Sequence, residues 1–212
     1  MSPAIQRFGF LLFPGTEELD LVGPWEMVTM WQQVAGGPKD CLIVAQSMQP
    51  VACAKGMSIT PHADFDSCPP LDVLLVPGGR GTRTEVDNPV LMDFVRRQAA
   101  QARAVLSVCT GSFILHKAGL LDGRRATTYW ASLPRLREAG VAVEEVRYVR
   151  NDRVWTSAGV SAGIDMTLAF IADVAGAEVA GQVQLGAEYY PDGVRWGTAA
   201  AHPQAPAYVR AG

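Results

Sequence analysis

The sequence predicts a single α/β domain built on a mainly parallel sheet with helices on both faces. Three observations carry that prediction. Short, continuous apolar runs of strand length recur and stop abruptly at Pro or Gly, and segments with helical spacing of apolar residues fill the intervals. The composition, finally, supplies a sizeable core: 49% of the 212 residues are hydrophobic and 18% charged. A chain of this length buries roughly 70% of the surface its unfolded form exposes, and such a composition excludes intrinsic disorder.

The elements follow in order. RFGFLLF at 7–13 reads as a strand buried on both faces and ended by Pro14-Gly15, with a helix after it that takes Pro24 in its first turn. CLIVA at 41–45 is a second strand, and 50–70 is turn-rich. DVLLV at 72–76 gives the clearest strand signal, closed by Pro77-Gly78-Gly79. A helix follows Asn88-Pro89 and presents Leu91, Phe94, Val95 and Ala99 inward. AVLSV at 104–108 is a further strand, and Cys109-Thr110-Gly111 opens a helix through Lys117 that Gly119 ends. RATTYW leads into a helix from about Ala131 to Ala139. VEEVRYV and RVWTSAG are two strands joined at Asn151-Asp152, and helices near 161–175 and 177–188 complete the pattern. Residues 1–190 form the domain, and 191–212 is a loosely attached tail rich in Gly, Pro and Ala.

Charge and cysteine usage narrow the function classes. The 18 basic residues are outnumbered by 21 acidic ones, for a net charge of −3, and Arg doublets stand isolated. The electrostatic footprint of a nucleic-acid binder is missing. The apolar run Phe8–Phe13 is too short for a membrane span or a signal-peptide core. Cysteines at 41, 53, 68 and 109 show neither C-x-x-C nor Cys/His metal spacing, and unpaired thiols fit a cytoplasmic protein.

Cys109 is the leading candidate for chemistry. It lies where a buried strand meets a helix start, the position at which doubly wound sheets bind ligands. Helix N-termini favour a thiolate and can bring a cysteine pKa from about 8.5 into the range of roughly 3.5–7.5. A strand-to-helix turn presenting a nucleophile is also the geometry of the G-x-S-x-G elbow, although the pattern here is S-V-C-T-G. The alternative is a small buried hydrophobe. Asp20, in TEELDLVGP, could face the same edge and move a proton. Glu17 and Glu18 compete for that role, and a solvated acidic loop is the other reading. Gly78-Gly79 allows close backbone approach, and its N–H groups, with that of Thr110, could hold a developing negative charge, or the pair simply ends a strand. No G-K-[ST] follows, so no phosphate loop is present. Cys41 reads as core, Cys53 and Cys68 lie in turns, and His62, His116 and His202 give Cys109 no local partner. Trp25, Trp31, Trp130, Trp155 and Trp196 read as core or interface aromatics.

Four segments together carry a resemblance: FLLFPGTEELDLVGP, CPPLDVLLVPGG, SVCTGSFILHKAGLLDGRRATTYW and TSAGVSAGIDMTLAFIADVAG. Over about residues 6–188 the chain resembles the ThiJ/PfpI superfamily, related to class I glutamine amidotransferases. Within it, the chain is most similar to isocyanide hydratases and to the amidase-like domain of certain AraC-type regulators. The resemblance implies a flavodoxin-like sandwich, a homodimer, a small-molecule substrate, no cofactor and a reactive cysteine on an elbow. It assigns Cys109 as nucleophile, Asp20 as the acid/base carboxylate, and Thr110 and Gly79 as residues whose amides bind the substrate's developing charge. The chain departs from relatives in three places: Thr110 stands where peptidase-like members carry histidine, Tyr129 stands where close relatives read T-T-H-W, and the C-terminal extension is a short Pro/Ala tail. The activity implied is hydration of an isocyanide to an N-substituted formamide. A glyoxalase or other thiol hydrolase, and a non-enzymatic ligand sensor or redox-responsive thiol protein, are the competing readings.

Overall fold

The computed structural model describes residues 4–191, 197–198 and 202–210. Trp196 and much of the 191–212 tail lie outside the described residues. In chain order the first half holds β1 (Arg7–Leu11), α1 (Glu18–Ala35), β2 (Asp40–Ala45), β3 (Val51–Ala52), β4 (Ser58–Ile59), β5 (Ala63–Asp64), β6 (Val73–Val76), α2 (Thr82–Glu85), α3 (Pro89–Gln101), β7 (Ala104–Ser107) and α4 (Gly111–Lys117). The second half holds β8 (Arg125–Ala126), a 3-10 turn at Trp130–Ser132, α5 (Leu133–Glu138), β9 (Ala142–Val143), β10 (Tyr148–Asn151), β11 (Val154–Ser157), α6 (Ala162–Ala175), α7 (Ala177–Gly186) and α8 (Ala207–Arg210).

Seven strands form one sheet in the order β10-β11-β7-β6-β1-β2-β5, and every neighbouring pair is parallel except β10–β11. Alternation along the strands divides the core in two. Phe8, Phe10, Val73 and Leu75 pack with Met27, Val28, Phe170 and Val183 on one face. Leu11, Leu74 and Val76 pack with Phe94, Val95, Ile114 and Leu115 on the other. Both faces are dry, which explains why these strands read as continuous apolar runs rather than as alternating ones.

The helices begin where local chemistry permits. Asn88 caps α3, its side chain accepting from the N–H groups of Val90 and Leu91 at 3.1 and 3.3 Å, with Pro89 in the first turn. Pro24 departs from expectation. The helix starts at Glu18, so Pro24 lies inside α1, where it leaves the Asp20 carbonyl without a helical donor. Its ring rests over Gly163, where an added Cβ would come within 3.1 Å of it. The turn-rich 50–70 stretch contains β3, β4 and β5, each two residues long and too short to show a periodicity. The expected VEEVRYV strand is interrupted after Val143 and resumes at Tyr148.

The topology fixes where a site can form. From β1 the chain moves outward to β2 and β5, then returns to the other side of β1 to lay down β6 and β7. The strand order therefore switches direction between β1 and β6, and the carboxyl ends there frame a crevice. Segments 12–20, 77–81, 108–111 and 158–161 leave the sheet at this edge.

Candidate active site

Cys109 stands on the turn between β7 and α4 with φ of 56°, a left-handed conformation costly for a residue with a side chain. Its surroundings hold it there. Its N–H donates to the carbonyls of Ser157 and Ala158 at 3.2 and 3.1 Å. Its own carbonyl accepts from the Thr128 hydroxyl at 2.8 Å and the Ser112 hydroxyl at 3.2 Å. Gly111 completes the turn, since a Cβ there would fall 2.3 Å from the Val76 carbonyl oxygen. The strand-to-helix elbow geometry is thus present, with Cys109 buried (6% exposed) and lining a cavity of about 370 Å³.

Asp20 lies in the first turn of α1 and is fully buried. Its Oδ2 accepts from the Gly78 N–H at 2.9 Å, and its Oδ1 makes no conventional hydrogen bond. The carboxyl's other neighbours are the Cys109 thiol and the Val160 N–H, both of which favour its charged form. The neighbouring acids are otherwise engaged. Glu17 pairs with Lys55 on the surface, and buried Glu18 accepts from the N–H groups of Lys55 and Met57 at 2.7 and 3.3 Å.

Burial pushes the Asp20 carboxyl up to about 7, against the pull of the Gly78 N–H. Burial likewise pushes the Cys109 thiol up to about 12, with the charge of Asp20 acting in the same direction. The sequence alone predicts a lowered cysteine, from the helix start. The N–H groups of Thr110 and Val160 do pull that way, but burial and the adjacent carboxyl outweigh them. The two groups titrate as a pair: between the two values they hold one proton and one negative charge, shared between sulfur and carboxyl.

Gly79 and Thr110 join Cys109 in lining the cavity. The Gly79 N–H donates to the Thr110 hydroxyl at 3.0 Å, so that hydroxyl occupies the amide assigned to substrate. Gly78 supplies the amide that reaches Asp20. The Thr110 N–H is turned to the Cys109 sulfur instead. The histidines lie elsewhere: His62 stacks on Trp25, and His202 meets Trp130 edge-on. Of the tail's described residues, Ala205 and Pro206 are buried, Tyr208 and Val209 are half-buried, and the others are exposed. The Ala207 N–H donates to Glu145 at 3.2 Å, and Tyr208 has Cys109 and Tyr129 among the titratable groups near it. Among the described residues no cluster of three or more His, Cys, Asp or Glu side chains could hold a metal ion.

The family model described as DJ-1/PfpI matches residues 6–173. The chain belongs to the DJ-1/PfpI family. Its relatives include an isonitrile hydratase of Pseudomonas putida, 41% identical over 87% of this chain and 79% of that one. The HTH-type transcriptional regulator GbdR of Pseudomonas aeruginosa is 32% identical over 84% of this chain, which spans about half (49%) of the regulator. A solved ThiJ/PfpI family protein from Pseudomonas syringae superposes with a TM-score of 0.85 at 36% identity, covering 98% of this chain and 84% of that one.

Against that family frame, two contributors to the site escaped sequence reasoning. Val160, at φ of 49°, directs its N–H at both Cys109 and Asp20. Because the contribution is a backbone amide, the valine side chain gives no signal, and only the small-residue cluster SAGVSAG hints at a tight approach. Thr128 was legible merely as part of a shared segment, since its role is to hold a carbonyl 19 positions away.

Proposed function

We propose that this protein is a cofactor-free hydratase that converts an isocyanide to an N-substituted formamide. The observation that carries the reading is the buried Cys109–Asp20 pair, in which Cys109 lines a cavity of about 370 Å³ and the Asp20 carboxyl neighbours its thiol. The similarity to an isonitrile hydratase over most of both chains supports the same chemistry.

The pair accounts for the reaction stepwise. The Cys109 sulfur attacks the terminal carbon of the isocyanide, and the proton held with Asp20 passes to that carbon, giving an S-bound thioimidate. Asp20, now a carboxylate, takes a proton from water as the hydroxyl adds to the same carbon and passes that proton to the nitrogen. Collapse breaks the C–S bond, releases the formamide and returns the proton to the pair. The Thr110 and Val160 N–H groups, aimed at the sulfur, stabilise its negative charge when it leaves. Dividing the addition of water in two avoids presenting free hydroxide to an electrophile that offers little to hydrogen-bond.

The test is direct. Incubation with an aryl isocyanide is expected to yield the formamide, with turnover abolished in Cys109→Ala and reduced at least a hundredfold in Asp20→Asn. A folded protein that forms no formamide overturns the reading. We also propose a homodimer, which sedimentation would establish or exclude. Among the described residues no helix is long and apolar enough to cross a membrane.

A further inference from the structure

The cavity above Cys109 carries more positive charge in its lining than the hydration of a plain isocyanide calls for. Its lining carries four cations, Lys55, Arg80, Arg83 and Arg135, against one carboxylate, Glu17, in a chain whose net charge is −3. Glu17 is taken up by Lys55. The three arginines have no carboxylate partner in any ion pair of the described residues, whereas Arg7, Arg96, Arg125, Arg137, Arg147 and Arg150 each have one. Arg97, Arg124, Arg153 and Arg210 lack a carboxylate too, but each gives its guanidinium to a backbone carbonyl, whereas Arg80, Arg83 and Arg135 make no side-chain hydrogen bond or ion pair among the described residues.

All three arginines are exposed at the mouth, and one of them is held in place. Arg83 belongs to α2 and Arg80 to the turn before it, while Arg135 comes from α5. The Arg135 guanidinium lies 3.8 Å above the Phe113 ring, a cation–π contact that holds it in position. Arg83 lies near enough that its charge, together with burial, makes Arg135 easier to deprotonate than an ordinary arginine. Two like charges held together without a counter-ion are unfavourable until an anion arrives, and paired guanidinium forks match a carboxylate bidentately. A volume of about 370 Å³ suits a small molecule.

We infer that the substrate is an isocyanide bearing a carboxylate, with its reactive carbon at Cys109 and its acid group between Arg83 and Arg135 at the mouth. This rests on the hydratase reading for the reaction but not for the anion site. Two measurements separate them. The first compares an ω-isocyano acid with its methyl ester. Wild type is expected to favour the acid at least tenfold in kcat/KM at low salt, with the ratio falling toward one in Arg83→Gln/Arg135→Gln and restored in Arg83→Lys/Arg135→Lys. The second needs no turnover and compares alkylation of Cys109 by iodoacetate and by iodoacetamide. The anionic reagent is expected to gain at least fivefold over iodoacetamide relative to the same ratio on free cysteine, and the Gln pair is expected to remove that gain. If both ratios match the free compounds, or both survive in the Gln pair, the anion site is refuted. If the alkylation result holds and no isocyanide reacts, the anion site stands and the hydratase reading fails.

Discussion

An exposed aspartate is ionised above about pH 4, whereas Asp20 keeps its proton until about 7 because it is buried. Over that interval the folded chain binds a proton that the unfolded chain has released, so stability falls as pH rises from about 4 to about 7 and stays lower beyond it. A displacement of about 3 pH units corresponds to at most ~4 kcal/mol. Asn at this position stays neutral and can still accept from the Gly78 N–H. Asp20→Asn is therefore expected to be more stable than wild type by about 2–4 kcal/mol at pH 8 and equal to it near pH 3, as read by denaturant unfolding. The rate should run the other way. Below about pH 7 the Cys109–Asp20 pair holds two protons and neither group can accept one, so kcat/KM is expected to rise with pH through about 7. That limb should vanish in Asp20→Asn, and thiolate absorbance over the same range would show which atom releases the proton.

At the level of the elements, four strand ends approach closely enough that single atoms matter. A methyl group on Gly78 would stand 2.5 Å from the Thr110 nitrogen and 2.8 Å from Asp20 Oδ2. Gly78→Ala is expected to lower kcat/KM at least a hundredfold and to destabilise by about 1–3 kcal/mol, since the obstacle is backbone rather than a flexible tip. Val160→Gly relaxes the β11–α6 turn instead. Removing a β-branched residue from φ of 49° is expected to raise stability by about 1 kcal/mol while lowering kcat, because the N–H aimed at the sulfur is then less fixed. These elements differ in how far the sequence exposes them. β6, β7 and α3 were legible because burial on both faces, a Pro-Gly-Gly stop and an Asn-Pro cap are local signals. The start of α1 was not, because Glu17 makes no side-chain cap and Pro24 suggests a later beginning. Cys109 and Asp20 were legible as candidates from their strand-end positions. The rise in both titrations was not, because burial is a property of packing and 88 intervening residues separate them.

For the whole molecule, part of the C-terminal segment packs at the end of the sheet that carries Cys109. Buried Ala205 and Pro206, and the edge-on contact of His202 with Trp130 at 5.2 Å, anchor residues 202–210 beside the cavity wall. Deleting residues 202–212 is expected to raise KM several-fold with little loss of overall stability, as measured by steady-state kinetics and thermal melting. The two large cores lie away from this segment, which is why its removal should spare the fold.

Of the four non-glycine residues at positive φ among the described residues, two, Cys109 and Val160, border the same sulfur, and the ionisable acid that shares its proton is itself unfavourably placed. A library selected for heat endurance alone would therefore gather its gains at positions 20 and 160, the places that make the sulfur useful. Engineering a hardier catalyst from this scaffold calls for screening turnover and endurance together, with changes drawn from the outer helices.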